Sequence, residues 1–293
     1  MRQIILINAG TKTKKAFASG LNSTSLKVIQ SKRALIHLTP TPKTKIIYHN
    51  EEIDVADSYV FTRLRASDAL FCGILYEHFA ACGIPTNDPI NFNYPHSEEK
   101  IAQMARFVRA GICIPDTLIV REESYISNRD YILEHISFPL IYKLDGSQGR
   151  NVHLVQNQTK LDALIAIKPR HERFLLQAYI PNTFDTRTIV AYGKILGTIK
   201  RTAQAGNFLN NVSQGASVEA YILTEEETKV ALLATASAGL DFGGVDIIHT
   251  ASGPVVLEVN KSPQINGFER VFGQDKVFNT IAHLIETKQY CSM

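Results

Sequence analysis

The chain has 293 residues, 45% of them hydrophobic, with 31 Lys+Arg against 28 Asp+Glu, four Cys and no Trp. At roughly 100–200 residues per domain the length suggests about two domains, and the apolar content excludes a disordered chain. No apolar run approaches the ~20 residues that span a bilayer, Ile4–Ile7 is too short for a secretion signal, and Cys72, Cys82, Cys113 and Cys291 have neither zinc-site spacing nor disulfide-scaffold density. The cytoplasm is the default expectation.

The net charge of +3 hides an asymmetry. Residues 1–50 carry nine basic side chains and no acid, leaving 22 basic against 28 acidic residues in the rest. Lysines dominate this start, and Arg2 to Asn8 reads as a strand, which argues against a transit peptide. A solvated basic face is one reading. The other is a surface, including Lys12, Lys14 and Lys15, that steers an anionic partner.

In chain order, β-branched runs follow at Leu26–Ile29, Ala34–Leu38, Ile46–Tyr48 and Ser58–Thr62. A helix is expected from about Ser67 to Cys82, stopped by Gly83 and Pro85. Pro85–Pro95 has linker composition and marks a first boundary. Ser97 reads as the N-cap of a second helix that ends at Gly111. Strand Phe138–Lys143 leads through a glycine-containing loop to strand Val152–Val155, and Thr159 is the expected cap of a short helix before Pro169. Strands Phe174–Ala178, Arg187–Tyr192 and Lys194–Arg201 come next. Thr224 and Glu227 form a capping box for a helix stopping at Gly239. Strands Gly244–His249 and Val255–Asn260 precede a last helix from about Asp275 to Thr287.

The last strand pair is the most informative. A three-residue loop, Ala251-Ser252-Gly253, would pair Thr250 with Pro254. Asp246 then faces Glu258 directly, and strand alternation adds Asn260 to the same face. Val245, Ile247, Val255, Leu257 and Val259 make the reverse face apolar. Two opposed carboxylates repel at ~5 Å, so a cation or a proton is expected between them, and removing one acid should relieve repulsion. An all-oxygen set selects Mg²⁺ or Mn²⁺ over zinc. A solvated hairpin with incidental acids is the bland alternative.

A second constellation surrounds Lys143, which closes its strand ahead of Asp145-Gly146-Ser147-Gln148-Gly149-Arg150. Such a loop offers backbone N–H groups to phosphate oxygens, and the lysine adds a point charge. The Gly-Lys-Ser/Thr ending of a Walker A loop is missing. A plain hairpin turn fits the loop about as well as a phosphate cradle.

Taken together, Phe138 to Lys143 with Gly146 to Gly149, Leu176 to Ile180, Gly244-Val245-Asp246, and Glu258 to Pro263 resemble an ATP-grasp ligase, most closely the RimK-like amino-acid ligases. Lys200 to Phe208, followed by Asn211, matches the same group. The resemblance runs from about Ser97 to Thr287. It implies an α/β (α+β) ATP-grasp fold, with an N-terminal pre-ATP-grasp domain at 1–95, a central subdomain at 96–180 and a C-terminal subdomain with the metal site at 181–293.

The implied chemistry is ATP-dependent activation of a carboxylate as an acyl phosphate, then attack by an amine to give an amide. Lys100, Lys143, Gly146, Ser147, Gln148 and Gly149 match nucleotide-phosphate contacts. Gln177, Ala178, Tyr179 and Ile180 match the segment that reads adenine through its backbone, and Asp185 falls where a ribose contact is expected. Asp246, Glu258 and Asn260 match magnesium ligands. Arg187, Arg201 and Asn211 are the catalytic candidates, the arginines to hold a γ-phosphate or a substrate carboxylate. Ala178 replaces a usual glutamate, Leu209 a frequent arginine and Gln264 a frequent glycine, and Arg150-Asn151 stands where many relatives have a further glycine. The implied cofactors are ATP and Mg²⁺ or Mn²⁺. The implied partners are an amino acid such as glutamate and an amine- or carboxylate-bearing acceptor, an acidic peptide or protein among them. A homo-oligomer is expected, and neither a membrane nor a nucleic acid. The alternative is a nucleotide-binding module that senses ATP without ligating anything.

Overall fold

The computed structural model describes residues 1–39, 43–63, 69–88, 100–144, 152–168, 173–203 and 216–290. Gln3–Ile7 is the middle strand of a parallel sheet, between Ser25–Ile29 and Ser58–Thr62. Its unbroken apolar run reflects burial on both faces, as parallel strands require. Ile4 and Leu6 enter a core with Phe17, Phe61, Phe242, Phe278 and Ile281, while Ile5 and Ile7 face Ile29, Cys72, Leu75 and Phe79. The first of these cores joins the two ends of the chain. Helix Thr11–Gly20 packs on helix Lys276–Glu286, with the Phe17 and Phe61 rings 5.0 Å apart and Phe17 and Phe278 at 5.7 Å. Strands Ala34–Thr39, Lys43–Tyr48 and Glu51–Glu52 form a separate antiparallel sheet.

Thr117–Val120, Phe174–Ala178, Leu140–Leu144 and Val152–Val155 make a four-stranded antiparallel sheet. Its apolar face, with Leu140, Tyr142, Phe174 and Leu176, is covered by Tyr125, Ile132, Leu161 and Ile165. The largest sheet orders Ser217–Ala220, Lys194–Thr202, Phe184–Ala191, Phe242–Thr250 and Gly253–Asn260, all antiparallel. Helices Lys100–Arg109 and Glu225–Ser237 cover one face through Met104, Phe107, Ala231 and Ala234. Among the described residues no helix is long and apolar enough to cross a membrane.

Most expected elements form, with ends moved by a few residues. The expected cap Ser97 lies outside the described residues. Thr159 is not the helix cap. Asn157 holds that place, its side chain accepting the Lys160 N–H at 3.0 Å, and the helix starts at Gln158. The Thr224–Glu227 capping box is formed on both sides. Helix Thr11–Gly20 was hidden in the basic start. It has no side-chain cap and no acid in its first turn, and only Ala16 and Phe17 are buried.

The final hairpin corrects the loop expectation. Thr250 pairs with Gly253, leaving the two-residue turn Ala251-Ser252, and Gly253 takes the positive φ of 117° that favours glycine. A bulge at Leu257 then adds one residue to the second strand, which restores Asp246 opposite Glu258. The bulge also re-sorts the apolar face. Val256, opposite Ile247, joins Val245 and Val259 in the core, while Val255 pairs with Ile248 and Leu257 is half-buried.

Glu286 ties the last helix to the first loop, accepting the N–H groups of Asn22, Ser23 and Thr24 at 2.9–3.1 Å. The Ser23, Thr24 and Asn22 amides pull its pKa down from 4.5 to about 2. A carboxylate depressed in the folded state stabilises fully above its unfolded pKa and loses that contribution as pH falls through the folded value. Unfolding midpoints in urea should therefore fall between about pH 4.5 and 2. Glu286→Gln should flatten that part of the profile and lower the midpoint at pH 7.

Candidate functional site

Six of the candidate residues share one face of the five-stranded sheet. Register places Arg187 opposite Asp246, Asp246 opposite Glu258, and Asp185 opposite Arg201. The Asp185–Arg201 rung also depends on a bulge, since the register shifts between Ile189 and Val190 past the Tyr192-Gly193 turn. Without that shift Arg201 would stand on the opposite face.

Arg187 holds Asp246 as a bidentate pair, Nε to Oδ1 at 2.7 Å and Nη2 to Oδ2 at 2.6 Å. Arg201 donates from Nε to Asp185 Oδ1 at 2.6 Å, and its Nη2 lies 3.1 Å from Asp246 Oδ2. The side chains of Asp185, Arg201 and Asp246 are all under 10% exposed. Burial works against the Arg201 charge, but Asp246 and Asp185 more than offset it and raise its pKa. Burial also lifts Asp185 above the usual carboxylate range, against the pull of Arg201. These four charges cancel, so Asp246 is held by arginines rather than repelled by Glu258. Glu258 is half-buried and accepts from Asn260 Nδ2 on Oε1 at 2.8 Å.

The hairpin is fixed from outside by a residue the sequence reading missed. Gln103, on helix Lys100–Arg109, donates to the Val259 carbonyl at 2.9 Å and accepts the Val259 N–H at 3.2 Å. Val256 N–H is taken by the Cys113 carbonyl at 2.9 Å, so the outer strand edge is covered. In the sequence Gln103 is one polar residue within a helix, with no local signal of its contact to a distant strand. Beyond Asn260 the chain turns back against Gly244, where an added Cβ would come within 2.6 Å of Pro263 Cβ.

The other candidates lie on the four-stranded sheet. Lys143 stands opposite Leu175 and Val152, and Gln177 opposite Ile141 and Thr117, so Lys143 and Gln177 share the face away from the apolar core. Gln177 is buried and donates to Thr117 Oγ1 at 2.8 Å, and Ala178 N–H bonds the Asp116 carbonyl at 2.9 Å. Tyr179 and Ile180 are half-buried as the chain leaves the strand. Lys100 opens its helix and is described by its backbone alone. Gly146, Ser147, Gln148, Gly149 and Asn211 lie outside the described residues.

Asp246→Ala should not relieve strain as the isolated hairpin suggested. It leaves Arg187 without its fork partner and Arg201 buried on Asp185 alone, a loss of about 3–5 kcal/mol. Glu258→Gln keeps an oxygen for Asn260 and should stay within about 1 kcal/mol of the parent. Urea denaturation of the two variants checks the contrast.

A family model for the RimK-like ATP-grasp domain matches residues 97–285. A protein of Methanococcoides burtonii named "Probable alpha-L-glutamate ligase" is 32% identical over 259 residues, covering 85% of this chain and 83% of that one. One of the same name from Parasynechococcus marenigrum is 36% identical over 223 residues, covering 74% of this chain but only 47% of its own length. Among solved structures, the macrocyclase MdnC bound with precursor peptide MdnA from Microcystis aeruginosa superposes with a TM-score of 0.72 at 16% identity, covering 97% of this chain and 99% of that one. A RimK domain ATP-grasp protein from Sphaerobacter thermophilus gives 0.67 at 20% identity, with coverages of 96% and 98%. At such identities these structures speak to the fold alone, which is that of the ATP-grasp ligases. With the family model matched over most of the chain, this protein belongs to the RimK-like ATP-grasp family.

Proposed function

We propose that the chain is an ATP-dependent carboxylate–amine ligase that joins an amino acid such as glutamate to a peptide, protein or small-molecule acceptor. The observation that carries this reading is the convergence of Asp246, Glu258 and Asn260 with buried Arg201 and half-buried Arg187 on one sheet face, in a chain of this family. The names of the curated relatives support glutamate, and precursor peptides in complexes of fold relatives support a peptide acceptor.

The residues fit a hard divalent cation. Arg187 and Arg201 use three of the four lone-pair directions of Asp246, leaving one on Oδ1. Glu258 and Asn260 add a carboxylate and an amide oxygen beside it. These three would hold Mg²⁺ or Mn²⁺, which supplies charge neutralisation to the β- and γ-phosphates of ATP; one fold relative is recorded with Mg and ADP. Arg187 and Arg201 fix Asp246 in place, and Lys143 supplies a positive charge to the nucleotide phosphates. Gln177 to Ile180 would border the adenine, with Asp185 supporting Arg201 rather than standing alone. In the reaction a carboxylate oxygen attacks the γ-phosphorus and ADP leaves. The amine then attacks the acyl carbon, loses a proton, and phosphate departs as the amide forms.

Two measurements test this reading. Glu258→Gln should lose Mg²⁺-dependent ADP formation by about a hundredfold or more while unfolding like the parent, because a carboxylate ligand is gone and the packing is not. Parental turnover would sink the metal assignment. Lys143→Ala should weaken ATP binding about tenfold or more, the worth of one charge-assisted contact. Calorimetry with equal affinities would remove Lys143 from the nucleotide site. A chain that binds ATP but forms no ADP with any amino acid and acceptor is the sensor, not the ligase.

A further inference from the structure

Strands Gln3–Ile7 and Ser58–Thr62 run parallel and end side by side, with Ser25–Ile29 on the far side of Gln3–Ile7. Chain order reverses between them, and crevices beyond the carboxyl ends of strands at such reversals are habitual ligand positions in open α/β sheets. Arg63 stands there. It follows Thr62, and its N–H bonds the Ile7 carbonyl at 3.0 Å. Its guanidinium carbon lies 5.1 Å from the centre of the Phe278 ring. Among the described residues Nη2 donates only to the Pro263 carbonyl, at a long 3.4 Å. Nη1 is buried and has no hydrogen-bond partner among the described residues. Among the described residues no carboxylate pairs with Arg63, and burial lowers its pKa to about 10, which leaves it charged at neutral pH.

Arg63 is half-buried, and a charge held there without a counter-ion among the described residues costs stability that its long hydrogen bond and the Phe278 ring offset only in part. Its planar fork matches a carboxylate, which it can hold through two parallel N–H donors. The place also suits a substrate. Pro263 follows Asn260 by three residues, so its carbonyl lies within roughly 11 Å of the candidate metal ligand even if the chain were fully extended. Helix Thr11–Gly20, which starts just beyond the same strand end, has no acid in its first turn, and Lys12 is paired with Glu269 in the helix that follows Pro263.

We infer that Arg63 binds a carboxylate of the amino-acid substrate, between the carboxyl edge of the parallel sheet and the loop that leaves the Glu258–Asn260 strand. This rests on the ligase reading for the identity of the ligand, though not for the presence of an anion site. A role in holding ATP is the competing outcome, and a purely structural role is the other.

Two variants separate them. Arg63→Met replaces the charge with an apolar chain of similar length and should raise the melting temperature of the unliganded protein by about 2–4 °C. A fall would mark Arg63 as structural and overturn the inference. In calorimetry with Mg²⁺ and ADP present, L-glutamate should bind the parent and bind Arg63→Met about tenfold or more weakly. Arg63→Lys, which keeps the charge and loses the fork, should fall between. ATP affinity should stay within about twofold in both variants, since no phosphate contact is removed. Equal glutamate affinity in parent and Arg63→Met, or a matching loss of ATP affinity, would overturn the assignment. A parent that binds L-glutamate through Arg63 yet forms no ADP would strike the ligase reading and leave the carboxylate site standing.

Discussion

The Asp246 carboxylate accepts from Arg187 on both oxygens and has Arg201 against one of them. Arg201 is almost fully buried, so it must have acids beside it, and Asp185 and Asp246 are those acids. This chain of alternating charges locks three strands in one register. It also gives Asp246 one fixed orientation before any ligand arrives. Catalysis that depends on charge stabilisation benefits from groups that need no rearrangement, because the cost of ordering them is met during folding. The half-buried Glu258–Asn260 pair lies beside it on the same face.

Both hairpins of this face use the same device. Each has a two-residue turn, Tyr192-Gly193 or Ala251-Ser252, and each then gains one residue in its second strand. A single extra residue moves everything beyond it to the other face of the sheet. Arg201 and Glu258 both lie beyond their bulges. Without the bulges, Arg201 would oppose Phe184 and Glu258 would oppose Val245, with charges driven into the apolar layer. The bulges therefore separate the polar face from the core in this sheet.

This explains what was legible in the sequence and what was not. The opposition of Asp246 and Glu258 was read correctly from a wrong turn, because a loop one residue too long and an unseen bulge cancel. The apolar face could not come out right by that route, hence Val256 in place of Val255. Arg187 and Arg201 could be singled out as anion-holding groups, but their acids come from neighbouring strands, and cross-strand partners depend on register. The Thr224–Glu227 capping box is local and was legible for that reason. Gln103 and Arg63 were not, since a glutamine on a helix and an arginine after a strand acquire meaning only from what packs on them. The basic start is less bare in space than in sequence: Arg2, Lys12 and Lys45 pair with Asp54, Glu269 and Glu52.

The core that joins the two chain ends sets an order on synthesis. Ile4, Leu6 and Phe17 are made before Phe278, Ile281 and Ile285, which pack in the same core. More than 200 residues separate the two groups. At ~5–20 residues per second a ribosome needs on the order of 10–50 s to produce the second group after the first. Through that interval Phe17 covers part of this face of the parallel sheet, and Phe242 adds to it before the last helix is made. The packing on this face is therefore complete only when helix Lys276–Glu286 has been delivered, so the fold of the parallel sheet closes late.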